Sequence, residues 1–222
     1  MSDQLIFDWP LAEGLKAQDF FVAEPNLRAV KMLSETVAWP EKKLVLVGPP
    51  ASGKSHLARI FAEENSAWIF DSSKIPNISE VSGPVVIEDA DQIPSKQQES
   101  LFHLHNNLRA AHIPVLLTSR TAPSRWPLTL PDLKSRMEAA TIVQIDQPDD
   151  TLLQVLLTKL FADRQIMPSP SVINYIAARM DRSYVVARQI VEQLDRTAMA
   201  AKKPVSIKMA ATVLDKKPSF ER

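Results

Sequence analysis

Eight consecutive residues from Gly48 to Ser55 read GPPASGKS, a full match to the pattern G-x-x-x-x-G-K-[ST]. The pattern has a physical meaning. Two glycines let the backbone wrap tightly, consecutive N–H groups converge on a phosphate, a lysine offsets its charge and a hydroxyl holds magnesium. Gly48 and Gly53 therefore permit the wrap, and Pro49, Pro50, Ala51 and Ser52 span it. Lys54 is expected to reach the β- and γ-phosphates of a nucleoside di- or triphosphate, and the Ser55 hydroxyl to hold Mg²⁺. His56 follows directly and is counted with the loop, although its place reads as that of an ordinary helix residue.

A second run with chemistry is Val85-Val86-Ile87-Glu88-Asp89-Ala90-Asp91, an apolar stretch that ends in carboxylates. A phosphate-loop enzyme needs a metal ligand and a group that orients the attacking water at such a place. Two assignments are open. Either Glu88 stands near the magnesium shell and Asp89 positions water, or Glu88, one methylene longer than the usual Asp, marks a site that binds nucleotide well and hydrolyses it poorly. Asp91 reads as solvent-facing or as a local cap.

For the loop to work, a strand has to deliver it and a helix has to leave it. Residues 44–47 are a short apolar run ending at Gly48, and 56–64 read as a helix. Apolar runs at 68–70, 85–87, 115–117 and 142–145 bring the strand-like segments to five, alternating with helical stretches such as 98–110. That alternation predicts an α/β fold with a mainly parallel five-stranded sheet flanked by helices. Upstream, 26–37 read as a helix with Leu27, Val30, Leu33 and Val37 at helical spacing. After Gln147-Pro148-Asp149-Asp150 only helical segments follow, at 151–164, 170–180, 184–201 and about 207–214. Ser169 before Pro170 suits an N-cap and first helical position, and Ser206 suits the cap of the last helix. The expected organisation is a leader at 1–22, an α/β nucleotide-binding domain at 23–147 and a small helical domain at 148–222.

Composition narrows the function classes. With 222 residues and 45% hydrophobic content the chain can bury a sizeable core. Lys plus Arg and Asp plus Glu both number 26, so no overall positive field draws it to a nucleic-acid backbone. The absence of cysteine excludes disulfides, thiolate zinc sites and cysteine nucleophiles. The start MSDQLIFDWP lacks the features of a signal peptide, and no run is long and apolar enough to span a bilayer, so a cytoplasmic location without membrane contact is expected.

These residues resemble the Hda/DnaA-related AAA+ ATPases over nearly the whole chain. VLLTS at 115–119 matches the family's sensor strand through Thr118 and Ser119, and LPDLKSRMEA at 130–139 matches its arginine-finger box, with Arg136 at the finger position. MDRSYVVARQIVEQLDR at 180–196 resembles the helical lid. Asp19-Phe20-Phe21-Val22 and Asn26 match the stretch before the first helix, which implies that Phe21, Val22 and Asn26 lie near the nucleotide base. Gln4-Leu5-Ile6-Phe7 resembles the peptide by which related proteins dock on the DNA polymerase sliding clamp: Leu5 and Phe7 can enter an apolar pocket while Gln4 supplies a directional hydrogen bond. Two features depart from the family. Arg120 stands where Asp often follows the sensor pair, and the lid arginine aligns with Val185, leaving Arg182 or Arg188 as its substitute with spacing favouring neither.

The resemblance implies an ADP- or ATP-binding module with Mg²⁺, held through Ser55 and Glu88 by way of the nucleotide. It further implies a regulator of chromosomal replication initiation that docks on the sliding clamp through Gln4, Leu5 and Phe7. From there Arg136 would act in trans on ATP bound to the initiator DnaA. The catalytic set is then Glu88, Asp89 and Arg136, with weak intrinsic hydrolysis. The family's helix-turn-helix DNA-binding region has no counterpart in these residues, so strong direct DNA binding is not expected; self-association stays open. Two other classes stay open as well: a self-sufficient ATPase or loader acting on nucleic acid, and a nucleotide-bound adaptor without catalysis.

Overall fold

Residues 43–47 spell KLVLV and form strand β1 (Lys43–Val47), whose every residue is buried. A near-continuous apolar run of this kind belongs to a strand covered on both faces. In the computed structural model, which describes residues 20–76 and 81–215, four more strands complete the sheet: β2 (Trp68–Asp71), β3 (Val85–Glu88), β4 (Val115–Ser119) and β5 (Thr141–Gln144). Their order is β2-β3-β4-β1-β5. Trp68 to Asp71 of β2 pair in parallel with Val85 to Glu88, and Val85 to Ile87 pair in parallel with Val115 to Leu117.

The expected parallel five-stranded sheet is therefore present, with each strand within two residues of its anticipated position. Place in the sheet explains the sequence patterns. The interior strands β1 and β4 are buried throughout, whereas the edge strands β2 and β5 are largely exposed and carry polar residues among the apolar ones.

The helices follow the same logic. α1 (Glu24–Ser34) precedes β1, α2 (Lys54–Asn65) follows it, α3 (Gln98–Ala110) joins β3 to β4, and α4 (Pro131–Glu138) precedes β5. α3 occupies the expected span and turns Leu101, Leu104 and Leu108 into the core at helical spacing. The first helix is a correction. It ends at Ser34 instead of Val37, and residues 36–38 form a single 3-10 turn with Val37 86% exposed. Burial of Trp39 is the reason: its indole N–H donates to the Met32 carbonyl at 2.6 Å, and its ring stacks on Phe61 at 5.3 Å. A straight continuation of α1 would forgo that contact, and a large aromatic contributes more by burial than Val37 would.

By contact density the chain divides into two units, one holding Met32–Val45 and Ser55–Ile142, the other Phe21–Lys31, Leu46–Lys54 and the chain from Val143. Within the second, no strand occurs among the described residues after β5, as expected; α5 (Asp150–Ala162), α6 (Pro170–Ala177), α7 (Tyr184–Ala201) and α8 (Ile207–Asp215) follow instead. Leu153, Leu157, Phe161, Ile173, Ile176, Ala187, Val191 and Leu194 pack into one cluster. Each large member contributes about 1.5–3 kcal/mol by burial. Caps fix the helix starts. Asp149 accepts from the Leu152 N–H at 2.7 Å, Ser183 from Val186 and Ser206 from Met209. Ser169 sits at the expected N-cap before Pro170, but its hydroxyl bonds to that of Ser171. Among the described residues no helix is long and apolar enough to cross a membrane.

Candidate nucleotide site

The loop after β1 is shaped by close approach. A side chain at Gly48 would bring its Cβ to 2.9 Å from Ser52 Oγ and 3.1 Å from Ile145 Cβ, so both neighbours would have to shift to admit it. The strand end is pinned there by the Ile145 N–H donating to Val47 at 2.8 Å. Ala51 and Gly53 adopt positive φ angles of 62° and 93°, which coil the chain and leave Ser52 N–H bonded to Pro49. Lys54 opens α2, is 8% exposed, and its ammonium donates to the carbonyls of Gly48 at 2.7 Å and Pro49 at 2.9 Å.

This loop suits a phosphate. Among the described residues the Ser52 hydroxyl is buried without a hydrogen-bond partner, and the first turn of α2 contains no acidic residue to compete for its orphan N–H groups. Ser55 is the second residue of α2 and is exposed, and the His56 ring meets Phe20 edge-on at 5.5 Å.

The acidic run and the Thr118–Ser119 pair come together because β3 and β4 are neighbours. Asp89 leaves β3 in a left-handed conformation, φ 50° and ψ 46°, which Asp tolerates better than most side chains. Three bonds hold it there. Its N–H donates to Thr118 Oγ1 at 3.1 Å, and its carbonyl accepts from the Ser72 hydroxyl at 2.9 Å and the Gln92 N–H at 2.8 Å. Glu88 ends β3 half-buried, and one carboxylate oxygen is enclosed without a partner among the described residues, an arrangement that suits a cation or donor. Ser119 is fully buried and its hydroxyl is occupied locally, donating to Thr121 and accepting from the Trp126 indole at 3.0 Å. Asp91 caps the opposite turn by accepting from the Arg120 N–H at 3.3 Å. Ser72 belongs to no motif in the sequence, and only the β2–β3 pairing brings it beside Asp89.

Asn26 ties down the segment assigned to the nucleotide base. Its Oδ1 accepts from the Ala23 N–H at 2.9 Å, capping α1 from within its first turn, and its Nδ2 donates to the Phe21 carbonyl at 3.0 Å. Phe21 and Val22 remain 40% and 37% exposed. Gln4, Leu5 and Phe7 lie outside the described residues. In the helical segment, Arg182 pairs with Asp150 at 2.9 Å, and Val185 and Arg188 lie in the first turns of α7, Arg188 exposed. The Tyr184 hydroxyl donates to Asp146 at 3.1 Å, and burial pushes its pKa up to about 12.

Arg136 stands in the last turn of α4. The approach to this helix is held by Gln98, fully buried at the start of α3, whose side chain donates to the Pro127 carbonyl at 2.9 Å and accepts from the Thr129 N–H at 2.8 Å. Sequence patterns offered no signal for Gln98, which reads as a surface residue of a helix first turn.

Below Arg136 lie two buried titratable groups. Burial pulls the Lys43 pKa below the usual lysine range, opposed by Glu41. Burial first, and then the Lys43 charge, pull His105 down to about 4. The folded-state pKa of His105 thus lies below the ordinary 6.5, so between the two values the unfolded chain holds a proton that the folded chain lacks. Stability from this group is complete above about 6.5 and is lost progressively as pH falls toward 4. The loss amounts to about 3 kcal/mol at most. Thermal melts between these pH values should show wild type losing stability faster than His105→Gln; parallel curves would reject a neutral buried His105.

No known protein-family profile matches the sequence. Chromosomal replication initiator protein DnaA of Cutibacterium acnes is 29% identical over 133 residues, which cover 59% of this chain and 26% of that protein. The chain therefore spans about a quarter of the length of this relative. An uncharacterised protein of Haemophilus influenzae is 24% identical over 185 residues, covering 76% of this chain and 79% of its own. Domain III of the Thermotoga maritima replication initiation protein DnaA superposes with a TM-score of 0.74 at 19% identity, covering 90% of this chain and 96% of that domain, and shares the fold.

Proposed function

We propose, on the premise that the chain is a DnaA-related AAA+ domain, that it binds ADP or ATP and regulates the initiation of chromosome replication by stimulating hydrolysis of DnaA-bound ATP, as Hda-like proteins do. The nucleotide would sit on the 48–55 loop with Ser55 and Glu88 holding Mg²⁺, and the ion when bound would offset phosphate charge. Lys54 binds and orients phosphate. Asp89, fixed in its left-handed turn by Thr118 and Ser72 and half-buried as a residue, would orient a water.

The observation that carries the activating role is Arg136, at the finger position of the 130–139 box and half-buried at the end of α4. A guanidinium presented to a neighbour's γ-phosphate stabilises the charge that develops there. The chain's own turnover would then be slow, with ADP serving to set the conformation of the helical segment.

The test is a reconstitution: DnaA loaded with ATP, the sliding clamp and this chain should together hydrolyse ATP faster than any pair of them. Turnover stimulated by nucleic acid, without clamp or DnaA, would favour a self-sufficient ATPase. Replacing Leu5 and Phe7 together by Ala should abolish clamp binding in calorimetry and leave ADP affinity unchanged. Two large apolar side chains contribute roughly 1.5–3 kcal/mol each on burial, a large share of a short peptide's affinity. Unchanged clamp affinity would remove the leader from the docking role.

A further inference from the structure

We propose that Lys43 and Phe102 are positioning residues that set where the Arg136 guanidinium points; the consequence for activity rests on the finger role proposed above.

The first half of the device is a main-chain tether. Lys43 is 1% exposed, and a lysine is kept in such a place only when its N–H groups find acceptors. Its ammonium donates to the Arg136 carbonyl, lies 3.3 Å from His105 Nε2 and pairs with the Glu41 carboxylate at 3.7 Å. Those partners come from α4, from α3 and from the turn before β1. The helix end makes the first contact consequential. Ala139 N–H bonds to Ser135 and Ala140 N–H to Met137, which skips the Arg136 carbonyl and leaves it to Lys43. A buried cation thus caps the carboxyl end of α4, where the helix dipole favours positive charge.

The second half is a side-chain rest. The Arg136 guanidinium lies over the Phe102 ring, 5.4 Å from its centroid. Phe102 and His105 are three residues apart on α3 and so share a face, which places ring and imidazole side by side beneath α4. Among the described residues no carboxylate pairs with the guanidinium, and its Nε is buried without a hydrogen-bond partner. The choice of an aromatic rest has a physical logic. A carboxylate would hold the group but neutralise it, whereas a ring face orients the cation and leaves its full charge for a phosphate. Orientation matters because a displacement of about 1 Å at a catalytic group can cost about 10²-fold in rate.

The experiment has two readouts. In the intact protein the Arg136 Nε–H resonance, assigned by its loss in Arg136→Lys, should carry a ring-current shift. Phe102→Leu should erase the shift, Phe102→Tyr should keep it, and Lys43→Met should move or broaden it, with ADP affinity checking the fold of each variant. A resonance unmoved in both Phe102→Leu and Lys43→Met overturns the proposal, and the Phe102 pair decides it alone if Lys43→Met does not fold. The second readout is single-turnover hydrolysis by DnaA. Phe102→Leu should lower the stimulated rate at least about 10-fold, toward the cost of a misplaced group, and should add nothing in an Arg136→Ala background. An equal loss in that background overturns positioning through Arg136. Wild-type stimulation by Arg136→Ala, with the resonance still responding, sinks the finger reading and not the placement.

Discussion

Arg136→Ala is expected to lower the clamp-dependent hydrolysis of DnaA-bound ATP by about 10³-fold or more, since arginine fingers contribute about 10³ to 10⁵ in rate. The argument is electrostatic. Charge builds on the γ-phosphate oxygens in the transition state, and a planar guanidinium with its donors already aimed stabilises it without reorganisation. Arg136→Lys should rescue poorly, because it keeps the charge and loses the fork that reaches two oxygens, together with the guanidinium's contact with the Phe102 ring. The chain's own ADP affinity should stay close to wild type, since the proposed finger would serve a neighbour's nucleotide. A single-turnover assay with saturating variant, ATP-loaded DnaA and clamp isolates the chemical step, provided that complex formation is shown to be intact. Wild-type rates under those conditions would reject the finger.

Lys54→Ala is expected to weaken ADP binding by at least about 10²-fold, because charge-assisted hydrogen bonds are worth about 1.5–3 kcal/mol each and the lysine offers more than one. The variant loses something else as well. In the structure the ammonium bonds to the Gly48 and Pro49 carbonyls, so its removal also frees the start of the loop. Gly48 should nevertheless keep its place against Ser52 and Ile145, and the fold should survive, which melting curves can establish before titration. Tight ADP binding by a folded Lys54→Ala protein would sink the assignment of the loop.

The sequence by itself determined what depends on neighbours a few residues away. The GPPASGKS wrap, the strand before it and the helix after it form one local unit, so their pattern is complete in the chain. Helices α3 and α7 were legible to the residue because their apolar stripes repeat at helical spacing, and the five strands because each is a short apolar run between turns. The tertiary structure decided the rest. Strand order alone places Thr118 and Ser72 on Asp89 and gives that residue its left-handed turn. Burial of Trp39 ends α1 early, a competition that helical periodicity does not contain. Lys43 opens β1, yet its partners His105 and Arg136 are 62 and 93 positions away. A spacing rule reaches across one turn of helix or one pleat of strand, whereas a buried cation is satisfied by whichever acceptors the packed elements bring to it.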